Sequence, residues 1–291
     1  MIAAKAISPM VVQTMAAIPG GVAIPGAKTM RHSTALEESR RFGVREIPAL
    51  RPLGWLARGW SDLVRNPAPG LVHGLAAAAF GALLLALSNQ RFWLIAGAFS
   101  GFLLVAPILA TGLYAVSRAL QRGRVLSVAE SLAVWKPRDG RLVVFGLLLA
   151  FAGTGWVLTS GSLIVGFAPQ PIDGPRDFLV HVVLARDSWL FESWLVLGGA
   201  LAAPLFASTV VSIPLLLDRD TGVLAAVLTS WRAVMQDPLP LAIWAALILV
   251  LTAIGMALAL VGLVVVVPWL AHASWHAYRD LVDTTGMSEL P

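Results

Sequence analysis

The chain has 291 residues, 58% of them hydrophobic, with 26 further glycines and only 13% charged residues. A soluble domain is typically about 45–50% apolar with glycine included and about 25% charged, so a soluble enzyme, a disordered chain and a collagen-like chain are excluded. With no cysteine, disulfide frameworks and thiolate metal sites are excluded too. The net charge of +5 is carried by residues lying between or before apolar runs, which points to orientation in a membrane and not to nucleic acid.

Residues 1–45 read as a basic N-terminal extension without a packed core, and Met30 is an alternative start. A secretory signal fits poorly, because Lys5, Pro9 and Gln13 break its apolar run. From Trp55 to Asn66-Pro67 the spacing predicts a helix. Trp55, Leu56, Trp60, Leu63 and Val64 form its apolar stripe, and Arg58, Asp62 and Arg65 fall on the other side. Such a helix suits the membrane interface, with tryptophans at headgroup level and basic residues toward anionic lipid.

Long apolar runs follow, each near or above the roughly 18 residues that mark a span. They place spans at about 70–88, 92–117, 142–167 and 190–217. The block from 239 to 281 is too long for one crossing and is read as two spans, 239–259 and 262–281, turning near Leu260–Gly262. Residues 284–291 form a tail.

A short pattern recurs in these runs: Val-Ala-Pro107-Ile-Leu-Ala, Ala-Ala-Pro204-Leu-Phe-Ala and Val-Val-Pro268-Trp-Leu-Ala. Each copy is preceded by an amphipathic stretch closing on a proline (Pro67, Pro137, Pro238). The fold expected is all-α: a polytopic helical membrane protein of six transmembrane helices over residues 46–283. It is built as three degenerate repeats, each an interfacial helix plus a proline-containing hairpin. With the N-terminus cytoplasmic, the cytoplasmic segments hold 18 Lys/Arg against 3 outside, so both termini are expected inside.

His272 and His276 are four apart and share a helical face, a geometry open to a metal, and to haem if His73 faced them. They also sit among Trp269, Trp275 and Tyr278, where an interfacial aromatic belt belongs. Glu192 is a carboxylate within an expected span and lies near its outer end, which suits water-exposed surface better than a proton path. Pro107, Pro204 and Pro268 could break helices around a solute, although a packing kink is the commoner use of proline and of small-residue pairs such as Gly70 and Gly74. No phosphate loop, paired carboxylates or Ser–His–acid pattern stands out, so no enzyme activity, catalytic residue or cofactor is expected.

At Arg58-Gly-Trp60-Ser-Asp-Leu-Val-Arg-Asn-Pro67 and at His272-Ala-Ser-Trp-His276-Ala-Tyr278-Arg279-Asp280-Leu281 the chain resembles the bacterial predicted integral membrane proteins called domain of unknown function 2189. The resemblance spans roughly residues 45–283 and implies a multi-pass protein of the bacterial inner membrane without an established activity. The reading that follows is a non-catalytic accessory protein working through lipid and a partner membrane protein or a second copy of itself. A small-solute transporter or channel is the alternative, and a haem- or metal-binding respiratory accessory protein a minor one.

Overall fold

The computed structural model describes residues 35–86, 110–134, 140–185, 189–285 and 287–290, all within one compact unit. Pro107 and most of the expected span 92–117 lie outside the described residues. In chain order, α1 is Ala35–Arg40, β1 Gly43–Val44, α2 Arg51–Arg65 and α3 Pro67–Ala86. Then come α4 Thr111–Gln121, α5 Val128–Ala133 and α6 Gly140–Phe167. The short α7, Pro175–Phe178, runs into a π-helical turn at Leu179–Val183. Next are α8 Leu190–Thr209, α9 Ser212–Asp218, α10 Val223–Gln236 and α11 Pro238–Ala257. Last are α12 Leu263–Leu281 and β2 Val282–Asp283.

Among the described residues four stretches are long and apolar enough to cross a membrane: Pro67–Leu84, Gly140–Phe167, Leu190–Asp218 and Pro238–Ala257. These support a polytopic helical membrane protein. α12 coincides with the last expected span but is not among the four. From Leu270 onward most of its side chains are buried in protein, polar ones included.

Two corners of the chain share one conformation. α2 ends at Asn66 (φ −140°, ψ 75°) and Pro67 opens α3. α10 ends at Asp237 (φ −125°, ψ 65°) and Pro238 opens α11. Each corner residue returns its backbone N–H to the carbonyl four residues back, Asp62 and Ala233. Proline disfavours the helical region for the residue before it, and its missing N–H costs nothing in a helix's first turn.

The last apolar block breaks at Leu258–Gly262, where Ala259 (φ 52°) and Leu260 (φ 67°) are left-handed. Gly262 lies against Gly255 so tightly that a β-carbon there would sit 2.7 Å from the Gly255 Cα. The returning α12 runs between α2, α3 and α4. Gly59 of α2 permits the crossing, since a β-carbon would lie 2.6 Å from the Ala273 nitrogen. Gly74 of α3 likewise meets the Val264 backbone, and a β-carbon on Gly70 would stand 3.2 Å from Pro268 Cβ. The small-residue pair on α3 thus lets α12 approach closely at Val264 and Pro268.

α2 has two apolar sides. Trp55, Leu56, Gly59 and Leu63 face the core, while Leu50, Leu53, Trp60 and Val64 face outward. The single stripe read from the sequence thus mixes two faces. Asp62, expected on the polar side, is 5% exposed on the buried one. At the other end of α12, β2 pairs antiparallel with β1 (Gly43 with Asp283, Val44 with Val282). The tail then folds back, with Leu290 N–H donating to Asp218 O at 3.0 Å.

Candidate functional site

The polar side chains that stand out in the sequence converge around the C-terminal half of α12. His272, His276 and Asp280 recur every four residues and form one ridge toward α2. His276 Nε2 lies 2.8 Å from Asp62 Oδ2. Ser117 of α4 donates to the same oxygen at 2.7 Å and lies 2.8 Å from His272 Nδ1. A serine hydroxyl has one proton and a carboxylate can only accept, so His272 Nδ1–H is the donor to Ser117. Every proton in this chain therefore points toward Asp62. Burial disfavours the Asp62 carboxylate, yet the hydrogen bonds from His276 and Ser117 outweigh it and hold its pKa below the ordinary range. All four side chains are buried.

One turn further on, Asp280 accepts from three donors of α2: Arg51 Nε at 2.6 Å, Trp55 Nε1 at 2.8 Å, and Arg58 through both Nη1 (3.2 Å) and Nη2 (2.5 Å). Tyr278 and Arg279 turn the other way, to Asp218 at the end of α9. The phenol donates to Oδ2 at 2.7 Å and Arg279 Nη1 at 3.2 Å. Arg219, 4% exposed, lies 3.2 Å from Asp218 and donates to Met287 O, Thr284 Oγ1 and Glu289 Oε1. Five polar residues in nine positions, His272 to Asp280, thus tie α12 to α2, α4, α9 and the tail.

The remaining expected positions lie elsewhere. His73 is buried on α3 with Nδ1 2.8 Å from Pro69 O. Glu192 is exposed in the first turn of α8. Pro204 is exposed mid-helix, its carbonyl accepting from Ser208 Oγ at 2.8 Å. Among the described residues no group of three or more His, Asp or Glu is placed to hold a metal ion. His272 Nδ1 is engaged by Ser117 and His276 Nε2 by Asp62, while His272 Nε2 is buried without a hydrogen-bond partner among the described residues.

Sequence reasoning missed Asp62, Ser117 and Asp218. A signal existed for Asp62, which lies seven residues, two turns, after the core residue Trp55. Ser117 and Asp218 offered none.

Residues 94–218 match the family described as Predicted integral membrane protein (DUF2189). The DUF2189 match contains neither stretch on which the resemblance was first read, 58–67 or 272–281. It does contain Ser117 and Asp218, the partners of His272, Tyr278 and Arg279. No curated protein and no solved structure matches the chain.

Proposed function

We propose that the chain is a six-span bacterial inner-membrane protein, both termini cytoplasmic, that acts through a partner membrane protein and not by catalysis. The observation that carries this reading is the engagement of His276, Tyr278, Arg279 and Asp280 with one another's neighbouring helices. Buried polar groups satisfied in this way rigidify and specify a packing arrangement. The recurring Asx–Pro corner at Asn66-Pro67 and Asp237-Pro238 supports the repeat of interfacial helix followed by membrane helix. The excess of arginine and lysine in alternate connections supports the orientation.

The test is affinity purification from native membranes in mild detergent, with quantitative mass spectrometry. A stoichiometric partner, lost when Asp280 is replaced or residues 272–280 are disrupted, is the expected outcome. A homo-oligomer with nothing else bound, together with solute flux in proteoliposomes that falls on replacing Pro204 or Glu192, would overturn it in favour of a transporter.

A further inference from the structure

Most of the outward side of α2 is uncovered among the described residues; Trp60 meets Trp269 of α12 edge-on, with ring centroids 5.4 Å apart, and is still 46% exposed. Leu50, Leu53, Ala57, Trp60 and Val64 alternate three and four residues apart and so line one side of the helix. All five are exposed, Trp60 by 46% and Val64 by 61%. Beside this stripe, across Gly54 and Ser61, runs a second one: Arg51, Arg58 and Arg65, spaced seven residues apart, which places them on one seam. Opposite both lies the buried face of Trp55, Gly59 and Asp62. The helix is therefore divided into three sectors: protein, apolar surface and arginine.

The arginines differ in how far the fold occupies them. Arg58 is held by both oxygens of Asp280. Arg51 gives Asp280 only its Nε, and its two terminal nitrogens make no hydrogen bond among the described residues, with the side chain 47% exposed. Arg65 has no hydrogen bond or ion pair among the described residues. The single Asp280 carboxylate thus leaves a net positive seam with free guanidinium forks at its two ends, a shape suited to phosphate oxygens. Leu71, Val72 and Leu75 are likewise exposed at the start of the membrane helix α3, which follows α2 directly at Pro67.

We propose that this outer face of α2 is a docking surface for anionic phospholipid. Leu50, Leu53, Trp60 and Val64 lie among the acyl chains, and Arg51 and Arg65 hold phosphate headgroups. The proposal goes beyond the partner reading and does not depend on it, because lipid can cover this face whether or not another protein binds elsewhere.

The test uses the full chain reconstituted in phosphatidylcholine vesicles containing one-tenth phosphatidylglycerol. Brominated chains are placed on one lipid class at a time, and the Trp60 signal is taken as the difference between wild type and Trp60→Phe. One arginine near an anionic surface corresponds to about a fivefold local enrichment. Brominated phosphatidylglycerol should therefore quench Trp60 several-fold beyond its mole fraction. Arg65→Gln, which breaks no hydrogen bond or ion pair among the described residues, should bring that excess down severalfold, as should 0.5 M salt. Quenching that follows mole fraction for both lipids would overturn the anionic site. A Trp60 signal reached by aqueous iodide and not by either brominated lipid would overturn the lipid surface altogether.

Discussion

Replacing Asp280 separates two kinds of interaction that meet on one carboxylate. Trp55 is wholly buried, and its indole N–H donates to Asp280 Oδ2. Asp280→Ala leaves that donor unpaired, which costs about 1–3 kcal/mol. The ion pairs to Arg51 and Arg58 involve side chains 47% and 38% exposed, so solvent screening reduces them to roughly 0.5 kcal/mol each. Asp280→Ala should therefore cost about 3 kcal/mol, and Asp280→Asn, which keeps an oxygen for Trp55, about 1 kcal/mol. For a protein of this size those losses lower the apparent melting temperature by roughly 6–12 °C and 2–4 °C. The assay is loss of the monodisperse size-exclusion peak after heating in detergent, at low and at 0.5 M salt. Salt should shrink the asparagine deficit and leave the further alanine deficit in place. Equal deficits for the two variants would refute the role assigned to Trp55, and no deficit in either would refute the lock itself.

Gly59→Val forces a β-carbon onto the Ala273 backbone, whereas Gly54→Ala meets open space. The first should abolish recovery of folded protein from membranes and the second leave it unchanged. Asp62 is held below the ordinary carboxylate pKa, so its contribution is complete above about pH 4 and lost as pH falls through its lowered value. Melting curves between pH 3 and 7 should therefore show an acid-side loss in wild type that is reduced in Asp62→Asn, the remainder coming from the other paired carboxylates. Ser117→Ala removes a donor to Asp62 and strands His272 Nδ1, costing about 1–3 kcal/mol by the same melting assay. Protein purified from haem-replete cells should show no Soret band. A band lost on His272→Ala would overturn the structural role given to that histidine.

Much of the architecture is written in apolar run lengths and prolines. A block of about 40 apolar residues cannot be one crossing, and the chain turns at Leu258–Gly262. Pro67 and Pro238 head their helices because proline belongs in a first turn. The candidate site was half legible. The ridge His272, His276, Asp280 follows from helical spacing, but spacing gives an angle and not a partner. α2 shows the difficulty most clearly: with one apolar side in the core and another facing outward, the centre of its hydrophobic pattern falls between them. Asp62 was thereby assigned to the wrong sector. Ser117 and Asp218 acquire meaning only through contacts 155 and 60 residues away along the chain.

The placement of α12 also sets an order of events during synthesis. α2, α3, α4 and α9 each present a group that this later helix completes: Asp62, the Gly70–Gly74 groove, Ser117 and Asp218. While the ribosome is still producing residues 263–281, Asp62 and Ser117 have only each other and Asp218 only Arg219, and the earlier helices lack their common neighbour. Surface that α12 covers in the finished fold is exposed until then, the condition in which a nascent chain is most open to chaperones and proteases. Docking of α12 supplies the last of these partners.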